Sequence, residues 1–166
     1  MYSPWPDRTY PPAWRVALAF ALAPGAAALF MALLTPAYDG LPSWFERVWR
    51  TAQILSAIGA YPSALVFGLP AYLMLRRHFS ANLLGCLIVG FVVAALPWAL
   101  LLIGSGASEA SINGRATVIN GQTTAYGWLK NAEFLLTIGL FGAFGGFVFW
   151  AVAAAGHRPQ SPSSAQ

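Results

Sequence analysis

The chain has 166 residues, of which 58% are hydrophobic and only 8% are charged, and its formal net charge is +4. A water-facing globular domain normally carries about 25% charged residues, so this composition excludes an ordinary soluble domain and predicts a protein surrounded largely by lipid. The nine Lys and Arg residues are scattered, which argues against nucleic-acid binding and fits attraction to anionic lipid headgroups.

Four apolar runs dominate the chain, at about residues 13–37, 51–75, 81–103 and 132–155. Each is long enough to cross about 30 Å of hydrocarbon as an α-helix. None carries a charge near its middle, where one would cost at least about 2.5 kcal/mol. The sequence therefore predicts an all-α membrane protein, a four-transmembrane-helix bundle over 13–155, with a flexible N-terminus at 1–12 and a disordered tail at 156–166.

The distribution of basic residues predicts the orientation of the bundle. Arg76 and Arg77 lie in the short connection between the second and third spans. Basic residues in short loops near helix ends favour the cytoplasmic side. Both termini are therefore expected in the cytoplasm, and the segment 105–131 is expected to be an extracytoplasmic loop.

The segment before the second span predicts a short interfacial helix. Ser43 and Glu46 have the spacing of a capping box. Trp44 and Trp49 lie in this segment, and tryptophan is enriched in the headgroup region. An aromatic anchor in the membrane surface is the main interpretation, and a ligand site is the alternative.

The segment 105–131 predicts a small β-hairpin or meander. It contains two Asn-Gly pairs, Asn113-Gly114 and Asn120-Gly121, which favour type I′ turns. β-branched and aromatic residues flank the second pair. Such a small sheet needs a support, which is expected to be the membrane surface, the Trp44 helix or a partner protein. Together with the Trp44 segment it forms either a recognition surface or a plug at the end of the bundle. The candidate recognition residues are Trp44, Trp49, Val118, Asn120, Gly121, Tyr126 and Trp128.

Stripes of small residues predict close helix packing, because small side chains let membrane helices approach. The contact is expected within one chain or, alternatively, between copies in a homo-oligomer. Prolines inside the spans are expected to kink their helices. The candidate packing residues are Ser56, Ala60, Ala64, Gly68, Gly139, Gly142 and Gly146.

The residues that could carry chemistry are few and dispersed. Cys86 is the single cysteine, which excludes an intramolecular disulfide and a multi-thiolate zinc site. Glu133 is expected to cap the fourth helix, and His78 and His157 are far apart in the sequence. No nucleophile, phosphate-binding or metalloprotease motif occurs. We therefore predict no cofactor, no metal site and no enzymatic activity.

Three stretches, residues 67–77, 90–97 and 145–150, resemble small uncharacterised bacterial inner-membrane proteins with four transmembrane helices. The resemblance implies a bacterial inner (plasma) membrane location and supplies no activity. The expected function is interaction with a membrane or periplasmic protein, as an accessory, assembly or immunity-type protein. The alternative is a small transporter or channel subunit that acts as an oligomer.

Overall fold

The computed structural model describes residues 11–75, 82–104 and 108–155 and is mainly helical. Helix α1 spans Ala13–Leu34, α3 spans Leu83–Gly104 and α4 spans Ala125–Ala153. Helix α2 is continuous through five consecutive segments, Trp44–Ile54, Leu55–Ala60, Tyr61–Ser63, Ala64–Gly68 and Leu69–Leu75. Each of the four is long and apolar enough to cross a membrane. The predicted flexible N-terminus lies outside the described residues except for Pro11 and Pro12. The predicted tail lies wholly outside them, as do Arg76, Arg77, His78 and His157.

The predicted short interfacial helix is not a separate element. The helix that begins at Trp44 continues without a break into the second span, because no Gly or Pro interrupts it before Gly59. Ser43 is the N-cap residue as expected, but its side chain makes no capping bond. Arg47 instead holds the preceding turn by donating to the Ala37 carbonyl at 3.4 Å and pairing with Asp39.

Two π-helical segments interrupt α2, Leu55–Ala60 and Ala64–Gly68, and each ends two residues before a proline, Pro62 or Pro70. A proline ring collides with the carbonyl group four residues earlier in a regular α-helix. The wider π turn removes this collision, and a backbone amide then donates to the carbonyl five residues earlier. The Tyr61 amide, for example, donates to the Ser56 carbonyl.

Helices α1 and α4 are joined at the end of the bundle where α1 begins. Val16 and Ala19 form a buried cluster with Ala153. The Arg15 guanidinium donates to the carbonyl oxygens of Val152 and Ala155 at 3.1 and 3.0 Å. Val152 belongs to the last turn of α4 and Ala155 follows its C-cap; carbonyls at this end lack helical partners, and the helix dipole favours a cation there.

Helices α3 and α4 approach through glycines at backbone distance. A Cβ atom at Gly90 would lie 2.4 Å from the Gly142 carbonyl oxygen, and one at Gly146 would lie 2.1 Å from the Cys86 carbonyl oxygen. A Cβ at Gly139 would lie 2.3 Å from the Phe91 ring. These glycines of α4 therefore make contacts within one chain.

A three-stranded antiparallel meander precedes α4, with strands β1 at Ala110–Ile112, β2 at Arg115–Ile119 and β3 at Gln122–Thr123. Both turns have the two consecutive positive φ angles of a type I′ turn. The angles are 53° and 74° at Asn113-Gly114, and 49° and 76° at Asn120-Gly121. The predicted meander is confirmed.

Helix α4 begins at Ala125, whereas hydropathy placed its start near residue 132. Thr124 caps it by accepting a hydrogen bond from the Gly127 amide at 3.0 Å. The polar residues that lower hydropathy here remain helical, and Lys130 pairs with Glu133 at 2.6 Å. Glu133 consequently lies about two turns inside the helix instead of capping its N-terminus.

Candidate recognition surface and interhelical cavity

The sheet is fixed to the first turn of α4 by a close backbone contact. A Cβ atom at Gly127 would lie 2.2 Å from the Thr117 carbonyl oxygen and 2.8 Å from the Thr123 methyl group. The Thr124 hydroxyl donates to the Ala116 carbonyl at 2.9 Å, and the Thr124 amide donates to the Thr117 carbonyl at 2.9 Å. The sequence analysis named the membrane surface, the Trp44 helix or a partner protein as the support of the sheet. The structure shows that α4 itself supports it. Gly127 and Thr124 were missed because both lay inside the predicted loop.

Tyr126 links the sheet to α4 through two cations. The Arg115 guanidinium carbon lies 5.7 Å from the centre of the Tyr126 ring, and the Lys130 ammonium lies 6.0 Å from it. Both distances are within the range of cation–π attraction. Tyr126 is half-buried, so this predicted recognition residue is mainly part of the attachment of the sheet.

The sheet contacts α4 on one side, and a hollow on β1 and β2 defines what we call its free face. The contact with α4 is made by the Thr117 carbonyl oxygen and the Thr123 methyl group, which both lie beside Gly127. The hollow has a volume of about 340 Å³ and is lined by Glu109, Ala110, Ser111, Ala116, Val118 and Ile119. Val118 is half-buried and is the predicted recognition residue that lines this hollow.

The remaining predicted recognition residues are exposed but belong to different elements. Asn120 and Gly121 form the second turn of the sheet. Trp44 and Trp49 lie on the first turns of α2, and Trp128 lies on the first turn of α4. All three tryptophan side chains are more than half exposed, as expected for aromatic anchors in a headgroup region.

A cavity of about 560 Å³ lies between the four helices and is lined almost entirely by carbon atoms. Ala60, Ala64 and Gly68 of the predicted α2 packing stripe line it. Ser56, one turn before Ala60, is half-buried. Gly142 and Gly146 of α4 line the cavity as well, in addition to their close contact with α3.

The cavity is not enclosed. Leu84 and Ile88 line it and are also exposed on the outer surface of the bundle. Molecules that surround the bundle can therefore enter the space.

The polar groups around the cavity are sparse. Among its described lining residues none is charged, and the residues with polar side-chain atoms are Ser63, Tyr72, Asn82, Cys86 and Trp98. The Asn82 carboxamide oxygen accepts a hydrogen bond from the Gly85 amide at 2.7 Å. No group of three or more His, Cys, Asp or Glu side chains that could hold a metal ion occurs within 11–75, 82–104 and 108–155.

No protein-family model matches the chain, and neither a curated protein nor a solved structure matches it.

Proposed function

We propose that this chain is a non-enzymatic integral membrane protein that acts by binding another protein through the free face of its sheet. The observation that carries the proposal is the rigid attachment of that sheet to α4 by Thr124 and Gly127. A small sheet held in one orientation, with a hollow on its outer face, offers a preformed surface and lowers the entropic cost of binding.

A membrane location is supported by the outer surface of the bundle. Large apolar side chains on every helix are exposed, among them Leu18, Leu65, Val92 and Leu140. Such a surface is stable in hydrocarbon and would aggregate in water. The proposed location is the bacterial inner membrane, with both termini in the cytoplasm and the sheet outside it. The proposed partner is a membrane or periplasmic protein.

Site-specific cross-linking in living cells tests the recognition surface. A photoreactive phenylalanine derivative at Val118 is expected to give one discrete cross-linked protein, which mass spectrometry can identify. The same derivative at Leu140, which lies on the exposed side of α4, is the matched control and should give mainly lipid adducts. Identical products from the two positions would contradict the proposal.

Point substitutions then separate recognition from support of the bundle. Ala116→Arg should abolish binding of the purified partner while leaving the thermal stability unchanged, because Ala116 lines the hollow and its side chain is exposed. Gln122→Arg adds the same charge to the same sheet at an exposed position and should preserve binding. Loss of stability without loss of binding would favour a plug instead.

A small transporter or channel subunit acting as an oligomer is the second candidate, and the central cavity is the feature that favours it. A flux assay in liposomes with ions and small metabolites would test it. The proposal of a homo-oligomer draws little support from Gly142 and Gly146, because both already contact α3.

A further inference from the structure

The cavity is long. It extends along α3 from Asn82 to Trp98, a distance of about 24 Å at 1.5 Å per residue. Its wall is made almost entirely of carbon atoms, and none of its described lining residues is charged. A surface of this length and composition fits a hydrocarbon chain.

The cavity reaches the outer surface of the bundle beside the first turns of α3. Leu84 and Ile88 line it and are nevertheless 66% and 55% exposed. Asn82 is at the same end, Trp98 lines the opposite end, and Phe141 lines the wall between them. A lipid chain can therefore enter sideways, with its polar end toward Asn82 and its methyl end toward Trp98.

The α2 wall of the cavity is built differently from the other three. Leu55, Gly59 and Ala60 belong to the first π segment, and Ala64 and Gly68 belong to the second. π turns are rare and occur frequently at functional sites. Here they coincide with small side chains, and this coincidence opens the cavity on the α2 side.

We propose that this cavity binds one long hydrocarbon chain of a membrane phospholipid. This binding is independent of the proposed recognition of a protein by the sheet. The chain lies along α3, and its headgroup stays at the bundle end marked by Asn82. The carbon-lined cavity favours a hydrocarbon chain because a polar group placed there would lack hydrogen-bond partners.

Photolabelling of the full-length protein tests the proposal. The protein is placed in phosphatidylcholine nanodiscs that contain a phosphatidylcholine with a diazirine in the middle of an 18-carbon chain. The measurement is the ratio of label on Phe141, which lines the cavity, to label on Leu140, which is exposed. These neighbours lie at nearly the same depth, so bulk lipid alone should label Leu140 far more than Phe141. We expect comparable labelling of both.

Two alanines of the first π segment provide matched variants. Ala60 lines the cavity, whereas Ala57 is exposed and outside it. Ala60→Phe should lower the labelling ratio by about tenfold because the ring occupies the path of the chain. Ala57→Phe should leave the ratio unchanged. If Ala60→Phe does not fold, Ala64→Leu is the replacement, since Ala64 also lines the cavity.

The same experiment has clear contrary outcomes. Absence of label from Phe141 in the unmodified protein would overturn the proposal, and this readout needs no variant. An equal ratio in folded Ala60→Phe and Ala57→Phe would also overturn it. Labelling of Phe141 by a free 18-carbon fatty acid with the same diazirine, but not by the phospholipid, would assign the cavity to a different ligand and reject the phospholipid.

Discussion

The glycines of the bundle allow a graded test of how its helices are held together. Gly146, Gly145 and Gly59 differ in the space around the position that a Cβ atom would occupy. The nearest atoms are the Cys86 carbonyl oxygen at 2.1 Å for Gly146 and the Ala27 methyl carbon at 3.3 Å for Gly145. At Gly59 nothing lies within 4 Å. The same substitution, Gly→Ala, therefore probes three different degrees of contact.

The expected energies follow from these distances. A carbon–oxygen contact is normally about 3.3 Å or longer, so alanine at Gly146 forces α3 and α4 about 1 Å apart. A gap of 0.5–1 Å already removes about a quarter to a half of the dispersion attraction between facing atoms. Overpacking of this kind costs about 1–3 kcal/mol. Gly145→Ala should be nearly neutral, and Gly59→Ala should stabilise by up to about 1 kcal/mol because alanine favours a helix.

Reversible unfolding in mixed micelles, with sodium dodecyl sulfate as denaturant and tryptophan fluorescence as signal, measures these differences. Helical content of each variant before unfolding is the control for a changed starting state. The expected order of stability is Gly59→Ala, then Gly145→Ala, then Gly146→Ala. If Gly146→Ala is as stable as Gly59→Ala, the backbones of α3 and α4 do not approach as described.

Four further substitutions or fusions give independent checks. Arg15→Gln should increase hydrogen exchange in the last turn of α4, where the guanidinium now binds two carbonyls; unchanged exchange would contradict that role. Tyr61→Phe removes a 2.7 Å bond to α1 and should lower stability by about 0.6 kcal/mol. Thr124→Val should lower the free energy of unfolding by about 1 kcal/mol and speed the hydrogen exchange of the backbone amides in the sheet, because the Thr124 hydroxyl joins the sheet to α4. A periplasm-specific reporter should be active after Gly121 and silent after Arg77, and the reverse would invert the proposed orientation.

The β-meander was predictable because its determinants are local. Asparagine and glycine tolerate positive φ better than other residues, so two Asn-Gly pairs define two type I′ turns without reference to distant residues. Both turns occur where the sequence places them. The existence of four long apolar helices was predictable for a similar reason, since hydropathy depends on composition within each segment.

The start of α4 and the support of the sheet depend on contacts that a hydropathy pattern does not contain. Lys130 and Glu133 lower the apolar character of the segment, although their i,i+3 pair is compatible with a helix. Thr124 is an ordinary N-cap type, so a search for caps upstream of the apolar run could have found the earlier start. The contact between Gly127 and Thr117 has no comparable local signal, because it joins a helix to a strand.

The attachment of the sheet also changes how its function must be tested. Replacing residues 116–126 by a flexible linker does not separate recognition from plugging. That segment includes Thr124, which caps α4, and Tyr126, which contacts two cations from β2 and α4. Its replacement would disturb α4 whether or not a partner binds. Single substitutions of exposed residues in the hollow, such as Ala116→Arg, avoid this ambiguity.

The small-residue stripes of α2 and α4 differ in how closely the neighbouring helix approaches. Gly142 and Gly146 face Gly90, so small residues on both helices let the backbones approach. On α2, a Cβ atom at Gly68 would lie 3.6 Å from the side chains of Phe20 and Val93, which is ordinary van der Waals contact. The small residues of α2 thus face larger side chains, which keep the backbones farther apart. A small-residue stripe therefore predicts backbone contact only when the facing helix is also small at the same level.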